Sequence, residues 1–547
     1  MKPQRSFLAL AVVATFAQAQ VAPDAGQTLR QQEQQQPIQP TKPSAAIVIP
    51  ATPTQAPAPG GATVKLETVV FHGATKLSDA ALQAVVHGAI GQALDMAGLW
   101  GLAQRVSEAY RAAGYPFARA YLPPQQLQDG TLRIEIVEGR YGRVRATGDA
   151  ALAASAQSFL KPLVPGEVIE SAPLERTTLV LGDLPGIVVT PVMRPGEQAG
   201  TGDLDVEVRR GPRVRGSLSL DNEGNRYTGP TRLQADASSA SALVFGDQVA
   251  VHAMATDAKL WFGSLGYSLP VGSAGLRGHG EFARTYYQLG GEFTSLDASG
   301  TANVATLGLS WPIVRSQAAN LSLDVSATHK SMRDAQGAAG TSQAKSSNAL
   351  PIALSFDERD GLLGGGLSYG AFTVTPGHLD LGATLAVTDA STARTAGAFT
   401  RVNLDVARMQ ALGPAVTLFG RVAAQWASKN LDSSEGFGPG GVTGVRAFPG
   451  GEAYGNEGWV AQMELRRSGG ELRPYAFYDI GGSRANVHPW TAGRNDRVLS
   501  GLGVGVRAQV GRWSLDASAA HPTHGTPVTS ESNAPGTRVW AAASVAF

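Results

Sequence analysis

The chain closes with Thr537-Arg-Val-Trp-Ala-Ala-Ala-Ser-Val-Ala-Phe547, in which every second residue is apolar. Side chains of a β-strand alternate between its two faces, so these apolar residues share one face. They are Val539, Ala541, Ala543, Val545 and Phe547. A terminal strand in water usually frays, whereas the closing strand of an outer-membrane barrel meets lipid on one face and is anchored by an aromatic residue. The final strand therefore predicts a membrane β-barrel.

The same alternation extends upstream and predicts a barrel over residues 212–547. In Leu502–Val510, apolar side chains on one face alternate with Gly, Arg and Gln on the other, and Trp459–Arg466 follows the same rule. Both signs of charge on the inner face indicate a water-filled lumen. About 335 residues, at roughly 21 per strand and connection, allow about 16 antiparallel strands. A soluble β-propeller is the alternative, but a propeller needs neither a terminal Phe nor small-residue lipid faces.

The composition and the N-terminal segment limit which classes of protein this chain could belong to. The 547 residues carry a net charge of +1 and only 16% are charged, which gives no indication of nucleic-acid binding. Lys2 and Arg5 precede a short apolar run that ends at Ala17-Gln-Ala19. This is the pattern of a secretory signal peptide, which we expect at residues 1–19. The chain has no cysteine, which suits passage through an oxidising compartment.

Residues 20–62 change in character twice. Gln27–Gln36 reads QTLRQQEQQQ, with good helix formers and almost nothing to bury, and predicts a polar helix within residues 20–36. Residues 37–62 are rich in Pro, Ala and Thr and predict a linker. Two interpretations stay open for the whole segment. It is either a disordered linker or a polar helix on a long tether that a polar lumen could house.

Between the linker and the barrel, the order βααββ occurs twice. The first unit covers residues 63–140, with Ser78 and Asp79 as N-cap candidates for its first helix and Gly114 ending its second. The second unit covers residues 141–211. Each unit has about 75 residues, which is at the small end of domain size. The sequence therefore predicts two small α+β domains ahead of the barrel.

This order of segments resembles the two-partner secretion transporters (TpsB, of the FhaC/ShlB/HecB haemolysin secretion type), within the wider group of outer-membrane proteins that join POTRA domains to a barrel. Tyr110-Arg-Ala-Ala-Gly-Tyr-Pro-Phe-Ala-Arg-Ala-Tyr-Leu-Pro-Pro-Gln125 and the segment from Gly130 to Gly139 resemble the family's POTRA sequence. The resemblance implies two periplasmic POTRA domains, a plug helix and a barrel in the outer membrane of a Gram-negative bacterium.

Two barrel motifs also resemble the family. Val445-Arg446-Ala447-Phe448 stands in the place of a V-R-G-[FY] loop tip, with Ala447 replacing the family glycine. Phe477-Tyr-Asp479-Ile-Gly481 matches the strand motif [FG]-x-D-x-G. The family implies that the loop folds back into the lumen and that its Arg pairs with this Asp. Alternation independently turns Asp479 inward, because a carboxylate facing lipid is costly. Glu464 also faces inward by alternation and is a competing partner for Arg446.

The resemblance implies a passive pore with no enzymatic activity, no cofactor and no metal. Its partner would be an unfolded secreted protein of the TpsA type, bound by adding a strand to exposed POTRA edges. We expect these edges at Arg119–Leu122, through Arg119 and Tyr121, and at Ile187–Val192, through Val188 and Thr190. Outer-membrane lipid would surround the barrel, and Phe547 would serve as the signal to the barrel-assembly machinery.

Two other functions share some of these sequence features. A barrel-assembly insertase shares the loop and strand motifs but typically carries more POTRA units. An outer-membrane lipase would need a Ser/His pair, and Gly366-Leu-Ser368-Tyr-Gly370 matches G-x-S-x-G only within alternating strand sequence, without the helix that this motif requires. His521 and His524 lie beside Pro522 without a carboxylate pair, so surface polar residues are a better interpretation than a zinc site.

Overall fold

The computed structural model describes residues 22–34, 39–40, 57–532 and 534–547. The expected signal peptide at 1–19 and most of the linker at 37–62 lie outside these ranges, as do residues 20, 21, 35 and 36 of the segment predicted to hold the polar helix. The described helices are α1 (Ala25–Gln34), α2 (Asp79–Val86), α3 (Met96–Ala112), α4 (Ala150–Ala156), α5 (Ser171–Gly182) and α6 (Ala383–Ser391). Among the described residues, no helix has both the length and the apolar character needed to cross a membrane.

The first unit contains the predicted βααββ order and adds a pair of two-residue strands that the sequence did not predict. Its strands are β1 (Val64–Lys65), β2 (Thr68–His72), β3 (Ala93–Leu94), β4 (Arg119–Tyr121) and β5 (Thr131–Val137). The main sheet has the order β2-β5-β4, with β2 parallel and β4 antiparallel to β5. Ser78 and Asp95 cap α2 and α3, each accepting a hydrogen bond from a main-chain N–H in the first turn. Leu82, Val106 and Ile134 are fully buried between these helices and the sheet.

The second unit repeats this arrangement. Its strands are β6 (Arg140–Gly148), β7 (Ile187–Pro195) and β8 (Thr201–Arg210), in the order β6-β8-β7. β8 runs parallel to β6 and antiparallel to β7, which leaves β7 as an edge strand. The unit is joined to the barrel by Asp183, whose carboxylate accepts two hydrogen bonds of 2.7 Å from the guanidinium of Arg315. This contact identifies the end of the barrel that faces the two α+β units.

The C-terminal part forms a closed antiparallel barrel. Its strands are β9 (Val214–Asp221), β10 (Arg232–Ala240), β11 (Gln248–Thr256), β12 (Trp261–Pro270), β13 (Arg277–Gln288), β14 (Ala298–Arg315), β15 (Ala319–Gln336), β16 (Thr341–Ala349), β17 (Ile352–Asp360), β18 (Gly366–Leu381), β19 (Gly397–Gly413), β20 (Val416–Ala427), β21 (Glu457–Arg467), β22 (Leu472–Arg484), β23 (Asp496–Val510), β24 (Trp513–His524) and β25 (Arg538–Ala546).

β16 and β17 are two segments of one barrel strand, because both pair with β15 on one side and β18 on the other. Leu350 and Pro351 interrupt this strand, and a proline cannot donate to the ladder. The barrel therefore has sixteen strands. The predicted fold, a membrane barrel of about 16 strands preceded by α+β POTRA domains and a helix, is confirmed.

The barrel closes where the last strand meets the first. Ala542–Ala546 of β25 pairs with Ser217–Asp221 of β9. Phe547 extends this pairing through two main-chain hydrogen bonds of 3.0 Å with Gly216. A Cβ at Gly216 would lie 2.4 Å from the Phe547 ring, so only glycine leaves room for the aromatic there. Outward exposure of Val539 and inward burial of Trp540 follow the alternation expected of this strand.

Candidate functional site in the barrel lumen

The long connection between β20 and β21, residues 428–456, folds back into the lumen. Its tip, Val445–Phe448, is buried and packs against Tyr475, Phe477 and Leu499 of the barrel wall. The tip is a tight turn, in which the Val445 N–H donates to the Pro439 carbonyl at 2.7 Å and the Gly441 N–H donates to the Phe448 carbonyl at 3.1 Å. Because these bonds satisfy main-chain groups inside the loop, the turn can sit in the barrel without strand pairing.

Arg446 and Asp479 are brought together at the centre of this site. The Arg446 Nε donates to one Asp479 oxygen at 2.7 Å, and one of its terminal nitrogens donates to the other at 2.6 Å. The Arg446 main-chain N–H also donates to this carboxylate at 3.2 Å. The guanidinium carbon lies 3.5 Å from the centre of the Phe477 ring. A two-point contact with a stacked ring fixes the orientation of the arginine as well as its charge.

Glu464 is a second partner of Arg446 rather than a competitor for it. Its carboxylate accepts a hydrogen bond from Arg446 and another, of 2.7 Å, from Arg466. Arg507 lies 3.3 Å from the same carboxylate. The site therefore places two carboxylates among three arginines, and the side chains of Arg446, Glu464 and Asp479 are at most 5% exposed. Charges this deeply buried are tolerated only when each is paired.

Trp540 ties the loop tip to the closing strand. Its indole N–H donates to the Arg446 carbonyl at 2.8 Å, across a buried contact. One arginine thus joins strands β21, β22 and β25 through its side chain and its carbonyl. We call Arg446, Glu464, Phe477, Asp479 and Trp540 the loop lock. The sequence offered no signal for the role of Trp540 beyond its inward position on β25.

Ala447 fits where the family has glycine. Its φ is not positive, so an alanine there carries no left-handed strain. Its side chain is buried against Gly501 of β23, where a Cβ would come within 2.4 Å of the Ala447 methyl group. The absence of a side chain at Gly501 therefore makes room for the methyl group. Gly481, the last residue of the strand motif, is likewise crowded, because a Cβ there would approach the Trp459 carbonyl at 2.8 Å.

Helix α1 lies inside the lumen, with Ala25 and Leu29 packed among barrel residues that include Tyr287 and Met332. Ion pairs and a hydrogen bond hold the N-terminal end of this helix. Lys345 of β16 lies 2.7 Å from Asp24 and 2.8 Å from Asp432. The Ser433 hydroxyl donates to Asp24 at 2.6 Å. The plug helix therefore contacts both the barrel wall and the infolded connection.

A second charged group holds the middle and end of α1. Glu33 lies 3.1 Å from Lys330 of β15, which is also 3.1 Å from Glu435. The Arg30 Nε donates to the Gly436 carbonyl at 3.0 Å. We call Asp24, Arg30, Glu33, Lys330, Lys345, Asp432, Ser433 and Glu435 the plug latch. None of these contacts was predicted, since their members are separated by tens to hundreds of residues.

The two expected POTRA edges lie on edge strands. Within the described residues, β4, with Arg119 and Tyr121, pairs with β5 alone, and β7, with Val188 and Thr190, pairs with β8 alone. Tyr121 and Val188 are 45% and 47% exposed. Strand addition requires an edge strand whose outer main-chain groups are unpaired, and the neighbouring side chains supply selectivity. The structure thus places these residues where a partner strand has access.

The two sequence patterns that resemble a catalytic serine and a zinc site lie on barrel strands. Ser368 lies on β18, not on a strand-to-helix turn, and its hydroxyl accepts a 2.7 Å hydrogen bond from Arg408. His521, on β24, lies 3.1 Å from the Thr537 hydroxyl. In the part of the chain that the structure describes, no group of three metal-binding side chains occurs.

Comparison with protein families matches both parts of the chain. Residues 200–508 match the family described as haemolysin secretion/activation protein ShlB/FhaC/HecB. Residues 64–139 match the POTRA domain of ShlB type. The heme/hemopexin transporter protein HuxB of Haemophilus influenzae (strain 86-028NP) is 27% identical over 95% of this chain and 96% of its own length.

Solved structures share the fold. CdiB from Escherichia coli aligns with a TM-score of 0.73 at 21% identity, over 97% of this chain and 100% of that one. BamA from Haemophilus ducreyi, lacking its POTRA domains 1–3, aligns with a TM-score of 0.52 at 13% identity, over 89% of this chain and 100% of that one. At these identities the likeness shows a common fold and nothing finer.

Proposed function

The chain belongs to the haemolysin secretion/activation family of ShlB, FhaC and HecB, and we propose that it exports one large, unfolded partner of the adhesin or haemolysin type (TpsA). The chain is an outer-membrane transporter of a partner protein, with its POTRA domains in the periplasm. The identity of the partner as a TpsA-type protein and the steps below are the proposal.

The observation that supports the proposal is a polar lumen occupied by a short helix. The plug helix is held mainly by ion pairs and hydrogen bonds rather than by a large apolar face. Beside it, between α1 and strands β9–β14, lies a cavity of about 1040 Å³ lined by residues such as Asp236, His252 and Ser264. Departure of the helix would enlarge this cavity, and we propose that the exported chain passes through the space that it leaves.

We propose that the partner enters through the POTRA edges. Main-chain hydrogen bonds along β4 or β7 would hold an unfolded segment irrespective of its sequence, and neighbouring side chains would supply selectivity. The exposed Tyr121 and Val188 lie at these edges. The bound segment would then reach the lumen when α1 leaves and the Arg446 loop shifts.

We also propose that the chain is not an enzyme and uses no cofactor. The sequence has no phosphate-binding loop followed by a helix, so the energy for export would come from folding of the partner outside the cell. Ser368 is the residue that tests this. If Ser368→Ala abolished lipid hydrolysis by the purified chain, the enzyme interpretation would be correct; we expect no hydrolysis from either form.

For biogenesis, we propose that outer-membrane lipid surrounds the barrel and that the barrel-assembly machinery reads Phe547. Phe547 is 62% exposed, beside the closing seam, and its ring faces Gly216. At this exposure another protein can contact the ring. Phe547→Ala is therefore expected to lower the amount of barrel in the membrane without changing export per folded barrel.

The insertase interpretation makes a different prediction for living cells. Culture supernatants and outer membranes of the native host are compared for wild type, a deletion and the deletion complemented with the full chain. We expect one large exported protein to disappear on deletion and to return on complementation. Matching supernatants together with a decline of many outer-membrane barrels would show an insertase and overturn the proposal.

A further inference from the structure

A cleft between the two POTRA units has the features of a binding site. It encloses about 340 Å³ and is lined by residues that include Thr75 and Lys76 of the first unit and Tyr141, Glu167 and Glu170 of the second. The Lys76 ammonium and the Glu170 carboxylate, 2.8 Å apart, bridge the two units beside it. Both side chains are more than a third exposed, so this ion pair contributes little to holding the two units together beside the cleft.

Tyr141 contributes an unused donor to this cleft. The residue is 3% exposed, and its ring packs in the core of the second unit. Its hydroxyl has no hydrogen-bond partner within the described part of the chain. Burial raises the pKa of the phenol, with Glu170 and Glu167 adding to the rise, so the group stays protonated. A buried hydroxyl without a partner costs stability, which makes a ligand that accepts its proton favourable.

Val168 also lines this cleft. The Tyr141 N–H donates to the Glu167 carbonyl at 2.9 Å, and the Ile169 N–H donates to the Gly139 carbonyl at 2.9 Å. Val168 sits between these bonds and forms a single antiparallel bridge with Arg140. Because main-chain groups alternate in direction, the N–H and C=O of Val168 point away from β6. Val168 lines the cleft, and its own N–H and C=O are not used in the pairing with β6.

The charges of the cleft are balanced. Lys76 and Arg140 supply two positive charges, and Glu167 and Glu170 supply two negative charges. Leu163 and Val168 add apolar wall. A small anion or cation would gain little from such a site, whereas a neutral amide backbone with one apolar side chain matches the hydroxyl, the main-chain groups and the wall.

We propose that this cleft binds an extended segment of the exported partner, with the Tyr141 hydroxyl donating to one of its main-chain carbonyls. This inference rests on the proposed export function. It adds a binding site between the two units that is distinct from the edges of β4 and β7. Displacement of the Lys76–Glu170 ion pair by the incoming segment would give it access to Tyr141.

The test traps the partner in the native host. A photoreactive benzoylphenylalanine replaces Glu167 in the cleft or, as control, Ala154, which is exposed on α4 and does not line the cleft. The full-length chain is expressed in the deletion strain and illuminated during export. We expect a high-mass adduct containing the exported protein at position 167 and none at position 154.

Tyr141→Phe tests the hydroxyl itself. It keeps the ring, so we expect thermal stability to be unchanged or higher, while the adduct yield at position 167 and the rate of export fall about fivefold, the size of one hydrogen bond. Tyr478→Phe, on the lipid-facing side of β22, is the matched control and should export at the wild-type rate.

The outcomes separate the two proposals. If deletion removes the exported protein but position 167 gives no adduct, the export function stands and the cleft inference is wrong. A stability change in Tyr141→Phe with unaltered adduct yield shows a packing role only and also overturns the inference. If deletion removes no exported protein, the export function fails, and the cleft inference fails with it.

Discussion

The loop lock and the plug latch are both charged clusters in the barrel lumen, but they are built differently. In the loop lock, one arginine holds two carboxylates, stacks on Phe477 and is tied by its carbonyl to Trp540. In the plug latch, separate ion pairs and hydrogen bonds hold a ten-residue helix in the lumen. The apolar contacts of this helix are few. The difference leads us to expect that the plug leaves more readily than the loop shifts, because the loop is held by one arginine with several partners and the plug by separate ion pairs.

The largest effect is expected from Arg446→Ala. The change leaves Asp479 and Glu464 buried without this partner, and losing one partner of a buried ion pair costs about 3–5 kcal/mol. We expect the barrel to lose its resistance to heating in detergent and export to fall below detection. Arg466→Ala is the control, since it removes a neighbour of Glu464 but none of Asp479. Equal effects of the two changes would show that the Arg446–Asp479 contact contributes no more to heat resistance and export than the Arg466–Glu464 contact does.

The second effect tests the plug latch. Lys345→Ala leaves Asp24 and Asp432 without their shared cation, which should favour departure of the helix by about 2 kcal/mol, or roughly 30-fold. We expect higher single-channel conductance and entry of large antibiotics, with the barrel as heat-resistant as wild type. Lys429→Ala, which removes an exposed side chain bound to the Ala396 carbonyl, is the matched control. A loss of heat resistance in Lys345→Ala would mean that the latch also stabilises the wall.

A smaller effect within the loop lock is expected from Trp540→Phe. The change removes one hydrogen bond to the Arg446 carbonyl and keeps an aromatic ring, so its cost is about 1 kcal/mol. The midpoint of heat unfolding in detergent should lie between those of wild type and Arg446→Ala. An unchanged midpoint would show that the Trp540 hydrogen bond does not stabilise the loop lock and that β25 is not coupled to the loop.

The smallest effect concerns a buried charge outside the membrane. Burial alone would raise the pKa of Glu138, but hydrogen bonds from Thr75, Lys76 and Tyr110 hold it below its usual value. A lowered folded-state pKa contributes stability above the unfolded pKa of about 4.3, and this contribution is lost as the pH falls further. Hydrogen exchange of the first unit, corrected for its intrinsic pH dependence, should therefore rise from pH 5 to pH 3 in the full-length chain. Glu138→Gln should exchange faster at neutral pH and respond less to acid; an identical pH response would contradict this.

The two clusters also differ in how far sequence could predict them. Asp479 and Glu464 face inward by simple alternation, and the family motif supplies Arg446 as their partner. Asp24 and Lys345 are 321 residues apart, and no periodicity or motif connects them. Alternation assigns a face to each strand residue but not its neighbour on the next strand, because register depends on every turn between them. This is also why the pairing of Phe547 with Gly216 and the space beside Gly501 emerge only from the structure.

The fold was more predictable than the site. The strand count followed from length and the two α+β units from their periodicity, since both are local patterns repeated along the chain. The interruption of one barrel strand at Pro351 was not anticipated, although a proline in a central strand is a recognisable signal.

The most direct test of the account is a removable tether between the plug and the infolded connection. The chain has no cysteine, so Asp24→Cys with Ser433→Cys introduces a unique pair at positions whose side-chain oxygens lie 2.6 Å apart. Export by the native host is measured with the pair oxidised and again after reduction, alongside each single variant. The account predicts no export while the disulfide is intact and recovery on reduction. Equal export in both states would show that the partner passes with the helix in place, and would contradict the account.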